Sequence, residues 1–246
     1  MDILILGGGG REHALAWAAA KSPDCGRLVC APGNAGIEAV AECVALPVED
    51  GAAVATFCLT EGIDFVIVGP EAPLAAGVAD ALRDAGVAVF GPSAEASRLE
   101  ASKAFTKEIC DAAKAPTAAY ARFTVAGPAK TYVRDQGAPI VVKADGLAAG
   151  KGVVVAKDRA EAKDAARTML DGRFGEASSS VVIEELLSGP EVSILAFCDG
   201  DSAVLMPPAQ DHKRQLDGDL GPNTGGTHHH TYPPSSSTPA CSRNMA

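Results

Sequence analysis

Short, wholly apolar runs alternate with amphipathic stretches over the first hundred residues. Ile3-Leu4-Ile5-Leu6 is apolar at every position and runs straight into glycines. Such a run predicts a strand buried on both faces. Residues 11–21, REHALAWAAAK, predict a helix, and residues 27–31, RLVCA, a second strand closed by Pro32-Gly33. The alternation continues with a helix over 50–61, a strand over 64–68, a helix over 73–86 and a strand over 87–90 ended by Gly91-Pro92. This order predicts a parallel sheet, doubly wound, with helices on both faces. Ligands of such sheets lie beyond the carboxyl ends of the strands. The loops at 7–13, 32–36 and 69–74 are therefore the ones to watch.

The pattern changes after residue 100. Residues 102–114 predict a helix with Ser102 as N-cap. Strand signals then dominate, at 139–143, 152–156, 180–187, 191–200 and 202–206, interrupted by a helix near 158–171. Antiparallel hairpins with few helices read as α+β, and so as a different domain. Residues 227–246 have no hydrophobic period and are rich in Ser, Thr and Pro, which predicts disorder. His228, His229 and His230 lie there and read as part of a polar tail, with a metal site as the alternative.

Bulk properties narrow the function. With 246 residues, 47% of them hydrophobic, the chain can build one large domain or two to three small ones. A net charge of −10 gives no basic face for nucleic acid, so an anionic ligand has to be met by locally placed cations. Seven cysteines without C-x-x-C spacing read as reduced thiols, which points to a cytoplasmic protein. No stretch approaches a membrane span, and the first apolar run is too short for a secretion signal.

Four stretches carry candidate chemistry. Residues 141–156 read VVKADGLAAGKGVVVA. A P-loop needs four residues between its glycines and a hydroxyl after the lysine, but Gly146 and Gly150 enclose three, and Gly152 follows Lys151. The loop joins two strands and reads either as a flexible phosphate cover or as an ordinary turn with solvated lysines. Residues 6–14, LGGGGREHA, suggest a dinucleotide fingerprint, which fails because His13 stands where the third glycine belongs and APGNAG replaces the acid ending the second strand. That disfavours a nicotinamide-linked dehydrogenase. The helix N-terminus there can still hold an anion, with Arg11 and His13 as donors and Glu12 either gripping a ligand or capping the helix. Glu71, in VGPEAPL, offers one carboxylate from a proline-flanked loop, for a ribose hydroxyl or an amine or simply for solvent. In VVIEELLSGPEVS, residues 181–193, Glu184, Glu185, Leu187 and Glu191 suit either an adenine-binding hinge or plain strand periodicity. Residues 206–226 place Asp211, His212, Lys213 and Arg214 before a second glycine loop and read as a functional loop. No G-x-S-x-G elbow accompanies His212 to support nucleophilic catalysis.

In order, GGGGREHALAW, APGNAG, VGPEAPLAAGV, FGPSAEASRLEASKAF, IVVKADGLAAGKGVVVA, VVIEELLSGPEVSILAFCDG and MPPAQDHKR…DGDLGPNTGG resemble the glycinamide ribonucleotide synthetase (phosphoribosylamine–glycine ligase) family of the ATP-grasp superfamily. The resemblance covers residues 1–226. It implies a substrate-binding α/β domain at 1–100, an incomplete ATP-grasp domain at 101–226 with a lid lobe at about 123–190, and a tail at 227–246 outside the family. It implies that Lys103 and Lys143 contact the phosphates of ATP beneath a lid containing Gly150, Lys151 and Gly152. Glu184, Glu185 and Leu187 match the adenine hinge, and Glu191 the ribose-binding acid. Gly10, Glu12 and Glu71 match positions that hold phosphoribosylamine. Asp211, Lys213 and Arg214 match a catalytic loop near glycine and the transferred phosphoryl group. The implied reaction joins glycine to 5-phosphoribosylamine through glycyl phosphate, using ATP with Mg2+ or Mn2+, in purine biosynthesis. A monomer acting on small molecules is expected, with no nucleic-acid or membrane partner.

Family members run on beyond the position of Gly226, and the resemblance places a metal-ligating acid and asparagine in that region. This sequence carries THHHTYPPSSSTPACSRNMA there instead, and none of it matches a metal ligand by motif. The alternative to an active ligase is thus a truncated, non-catalytic nucleotide-binding product. A bound metal supplies several kcal/mol in phosphoryl chemistry, so turnover of the chain as written is expected to be on the order of a thousandfold below that of a full-length relative. An ADP-release assay with magnesium, glycine and fresh phosphoribosylamine checks this, and a rate near the relative's contradicts it.

Overall fold

A computed structural model describes residues 1–148, 151–189, 192–211, 214–216, 220–223 and 229–231. The chain divides into two compact units, Met1–Leu186 and Leu187–Ala246.

The first unit opens with the expected parallel sheet. Its strands are β1 (Ile3–Gly7), β2 (Leu28–Pro32), β3 (Glu42–Cys43), β4 (Phe65–Val68) and β5 (Ala88–Phe90), in the order β3-β2-β1-β4-β5. Alternation along β1 explains why it is apolar throughout. Leu4 and Leu6 pack with Val29, Val66 and Val68 under α2 (Gly51–Glu61) and α4 (Val78–Asp84), through Val54, Cys58, Val78 and Leu82. Ile3 and Ile5 face the other way, with Leu28 and Cys30 under Ala16 of α1 (Gly10–Ala19). The single helix expected over 73–86 is two helices, α3 (Glu71–Ala75) and α4. Gly77 stands between them at φ +83°, a left-handed conformation that ends one helix and starts the next.

Two helices follow, α5 (Ala94–Ala101) and α6 (Lys103–Ala113). Ser102 caps α6 as expected, its hydroxyl accepting from the Phe105 amide at 3.2 Å. Then comes a four-stranded antiparallel sheet, β6 (Tyr120–Phe123), β7 (Ile140–Ala144), β8 (Val153–Ala156) and β9 (Val181–Glu185), in the order β6-β9-β7-β8. One face carries Ile140, Val142, Ala144, Val181 and Ile183, buried beneath α7 (Ala126–Gln136) and α8 (Arg159–Thr168) by way of Ala129, Val133, Ala162 and Ala166. Helix α7 has no counterpart in the sequence pattern. It begins Ala-Gly-Pro, which reads as a turn, and only the burial of Ala129 and Val133 on the sheet makes the case for a helix. Strand β9 stops at Glu185, short of the expected residue 187.

In the second unit, β10 (Ala196–Cys198) and β11 (Ala203–Leu205) form an antiparallel hairpin within the expected strand regions. Beyond it lie β12 (Ala209–Asp211), β13 (Arg214–Leu216), β14 (Leu220–Asn223) and β15 (His229–Thr231), with β12 paired to β15 and β13 to β14. Phe197, Val204 and Leu205 of the hairpin are exposed.

Glycine spacing sets how closely the loops of the parallel sheet meet. A Cβ on Gly8 would stand 2.5 Å from the Gly33 carbonyl oxygen, while a Cβ on Gly10 meets nothing within 4 Å. Gly8→Ala is expected to lower stability by about 1–3 kcal/mol through overpacking against backbone. Gly10→Ala should be neutral or gain up to about 1 kcal/mol, since alanine is the better helix former. Urea midpoints of the two variants check the contrast.

Candidate functional site

Strand β1 has β2 on one side and β4 on the other, so the chain leaves its neighbours in opposite directions and a crevice opens at their carboxyl ends. Three loops meet there. The Gly33 amide donates to the Gly7 carbonyl at 3.2 Å, the Gly69 amide to the Leu6 carbonyl at 3.0 Å, and Asn34 Nδ2 to the Gly8 carbonyl at 2.9 Å. Glu12 is buried beneath them. Its Oε2 accepts from the Gly9 amide at 2.6 Å, which is one half of a capping box, because the N-cap glycine has no side chain to return the bond. A Cβ on Gly69 would lie 2.2 Å from Glu12 Oε1, so the carboxylate fills the space that this glycine leaves. Glu71 is exposed at the first position of α3. With Arg11, Gly69, Leu74, Ser97 and Glu100 it lines a cavity of about 660 Å³. Arg11 Nη1 donates to the Gly69 carbonyl at 2.8 Å and ties the two loops together. Gly10 starts α1, exposed, next to Arg11.

The antiparallel sheet presents a second cluster on the face opposite α7 and α8. Lys143 pairs in register with Val182, and Val141 with Glu184, so Lys143 and Glu184 are diagonal neighbours on one face. Their side chains form an ion pair through Glu184 Oε1. Lys107, from α6, reaches the other oxygen, Oε2, at 2.8 Å. Its ammonium also donates to Thr117 Oγ1 at 2.7 Å and to the Ala118 carbonyl at 3.1 Å. Lys103, one helical turn earlier on α6, sends its ammonium to the carbonyls of Asp145 and Gly146 at 3.3 and 3.2 Å.

Asp145 fastens the glycine loop to α6. Its Oδ1 accepts from the Ala104 amide at 2.8 Å and the Ser102 hydroxyl at 3.1 Å, and its Oδ2 from the Ser180 hydroxyl at 2.9 Å. The loop itself is tight: a Cβ on Gly146 would stand 2.7 Å from Ala177 Cα, and one on Gly152 would stand 2.8 Å from Ala148 Cβ. Lys151 is exposed on it. Burial pushes the Lys103 ammonium below its ordinary value; the Asp145 carboxylate opposes the shift and neighbouring Lys143 adds to it. Burial pushes the Glu184 carboxyl up, but hydrogen bonds from Lys107 and Lys143 outweigh burial and hold it below its ordinary range.

The structure thus brings Lys103, Lys143, Glu184, Lys151 and Gly152 into the first unit, around one loop. Glu185 ends β9, where its Oε1 accepts from the Ala119 amide at 2.9 Å. Leu187, exposed, belongs to the second unit, as do Asp211 on β12 and Arg214 on β13. Gly150, Glu191 and Lys213 lie outside the described residues. Sequence reasoning missed Lys107 and Asp145. The signal for Lys107 was its spacing of four from Lys103 on a capped helix, which puts both on one face. Asp145 stood between the strand lysine and the first loop glycine.

Comparison with known proteins gives consistent matches. The family model described as "Phosphoribosylglycinamide synthetase, N domain" matches residues 1–100, and "Phosphoribosylglycinamide synthetase, ATP-grasp (A) domain" matches residues 101–245. A phosphoribosylamine–glycine ligase from Agrobacterium fabrum is 58% identical over 226 residues, 92% of this chain and 53% of that protein. One from Caulobacter vibrioides is 54% identical over 234 residues, 95% of this chain and 55% of that protein. The crystal structure of a phosphoribosylamine–glycine ligase from Thermotoga maritima superposes with a TM-score of 0.74 at 31% identity, covering 92% of this chain and 54% of that one. The chain therefore spans about half the length of the curated relatives it matches. A biotin carboxylase domain from Hydrogenobacter thermophilus, solved with MgADP, shares the fold at 16% identity, with a TM-score of 0.68 over 87% of this chain and 50% of that one.

Because the folded state holds Glu184 below its ordinary value of 4.5, the stability its ionisation contributes is fully present above that value. It is lost as pH falls below 4.5 through the lower folded value. Glu184→Gln strands two ammonium groups and should cost about 3–5 kcal/mol at neutral pH. The gap in melting temperature between wild type and Glu184→Gln should shrink as pH falls from about 6 to about 3. A gap independent of pH in thermal scans contradicts the assignment.

Proposed function

The chain belongs to the phosphoribosylglycinamide synthetase family, and from that premise we propose that it binds ATP and 5-phosphoribosylamine for the ATP-dependent joining of glycine to the amine. In this reading residues 1–100 hold the phosphoribosylamine and residues 101–226 hold the nucleotide, under a lid lobe of about 123–190. The observation that carries the nucleotide half is the meeting of Lys103 and Lys143 at one glycine loop in a chain of net charge −10. Lys103 bonds backbone carbonyls and Lys143 stands partly exposed, so the two ammonium groups can turn to an incoming anion, and a polyphosphate fits. Lys103 and Lys143 place positive charge against the phosphates, Gly146 to Gly152 bring backbone amides over them, and Lys151 adds a charge from the loop. Glu184, Glu185 and Leu187 offer backbone groups to the adenine edge, and Glu191 a carboxylate to the ribose.

Gly10 and Arg11 at the start of α1 suit the phosphate of phosphoribosylamine. Glu71 takes its amine or a ribose hydroxyl, and Glu12 shapes the loop from below and acts on the ligand through the backbone it holds. The glycine carboxylate attacks the γ-phosphorus of ATP, the bond to the β–γ bridging oxygen breaks, and glycyl phosphate and ADP result. The amine of phosphoribosylamine then attacks the glycyl carbonyl, phosphate leaves, and an amide forms. Positioning and electrostatic stabilisation supply the acceleration, with Asp211, Lys213 and Arg214 beside the transferred group. Mg2+ or Mn2+ is the metal such chemistry uses. Among the described residues no group of three or more His, Cys, Asp or Glu stands together as a metal site. Among the described residues no helix is long and apolar enough to cross a membrane.

ATP at about a hundredfold excess over its Kd should stabilise the chain by about 2.7 kcal/mol, and NAD should not. Lys143→Ala should weaken ATP binding by about 10–100-fold, the worth of a charge-assisted hydrogen bond, while Lys157→Ala, at an exposed position, should leave it unchanged. Equal affinities for the two variants by calorimetry remove Lys143 from the phosphate site.

A further inference from the structure

Lys107 is a buried cation with no ligand role in the reading above, and its environment differs sharply from that of Lys143. The Lys107 side chain is 10% exposed and its ammonium has three oxygen partners, on Glu184, Thr117 and Ala118, which use all three of its donors. It also stands 5.2 Å from the centre of the Tyr120 ring, on the strand paired with Glu184. Lys143 is 29% exposed, and among the described residues Glu184 is its one ion-pair partner. One buried carboxylate thus holds two ammonium groups, one locked and saturated, the other more open and next to the glycine loop.

We propose that Lys107 is a positioning residue that keeps Glu184 compensated, so that Lys143 can exchange Glu184 for an incoming phosphate. The inference rests on the ATP reading and adds to it the way Lys143 is released. A buried carboxylate with a single counter-ion holds it, because removing the partner leaves an uncompensated charge in a poorly solvated place. With Lys107 fixed on Oε2, Glu184 remains paired when Lys143 moves. Without the second lysine the site keeps a phosphate-facing cation, but one tied to its carboxylate. Lys107 itself has no spare donor for the phosphate, so its effect passes through Glu184 alone.

The test uses the whole chain as wild type, Lys107→Met, Glu184→Gln and the double variant Lys107→Met/Glu184→Gln, with two readouts. The first needs no nucleotide: limiting acetic anhydride labels the free amine, and mass spectrometry follows Lys143. Lys107→Met should slow labelling of Lys143 by about threefold or more, because an ammonium that is the sole partner of Glu184 leaves that carboxylate less often to meet the reagent, and the double variant should reverse the slowing. The second is ATP affinity by calorimetry. Lys107→Met should weaken ATP by about tenfold, and adding Glu184→Gln should restore it to within about threefold of Glu184→Gln alone. A direct phosphate contact from Lys107, or a purely structural role, predicts instead that the loss persists in the Glu184→Gln background, and that result overturns the proposal. So does unchanged labelling of Lys143 in Lys107→Met. If Lys107→Met does not fold, the comparison of Glu184→Gln with the double variant still decides, since any effect beyond about threefold between them contradicts action through Glu184 alone. If labelling follows the prediction and wild type shows no affinity for ATP, the ATP reading fails while the coupling of the two lysines stands.

Discussion

The buried carboxylate of Glu184 is the point on which the cationic cluster depends. Three lysines from two elements, Lys103 and Lys107 on α6 and Lys143 on β7, would repel one another if left alone. Glu184 on β9 takes two of them, and the carbonyls of Asp145 and Gly146 take the third. Desolvating a lone charge is costly, and a shared, hydrogen-bonded one much less so. The same need explains Asp145, whose two oxygens serve the α6 N-terminus and Ser180 at once. A chain of net charge −10 can then present positive charge at one loop.

The amino-terminal crevice is built on a different principle. Its shape comes from backbone packed against backbone, with glycine where a Cβ would collide with a carbonyl or with Glu12. Backbone amides at a helix start are a fixed, uncharged way to meet an anion, and they add no charge that must be neutralised elsewhere. Glu12 holds that geometry, and Arg11, Glu71 and Glu100 are charged side chains that line the open cavity. One site is shaped by backbone and the other by paired side chains.

Membership of the family rests on both halves of the match, one model over residues 1–100 and the other over 101–245. The distant ATP-grasp neighbours at 16% identity share the fold and contribute nothing about the substrate. Within the family fold, the described residues of the second unit form short hairpins whose apolar side chains, such as Phe197, Val204 and Leu205, are exposed.

By itself the sequence determined the layered plan of the first hundred residues, because strands buried on both faces must be apolar throughout and β1, β2 and β4 are. It also determined the cap at Ser102, a local interaction between a side chain and the next turn. Its ordered motifs, from GGGGREHALAW to DGDLGPNTGG, named the family. What it left open were the features that depend on register and on distant burial. Helix α7 exists because Ala129 and Val133 find a sheet to cover, which no local signal at Ala126-Gly127-Pro128 announces. Glu12 had two readings, ligand contact or cap, and only the packed loop shows its bond to the Gly9 amide. The pairing of Lys143 with Glu184 follows from an antiparallel register between strands some forty residues apart, and the arrival of Lys107 from a helix earlier still. Residue types and spacing decide which elements form; only the packed chain decides which charges meet, because an ion pair is set by distance in space and burial, and neither is written along the sequence.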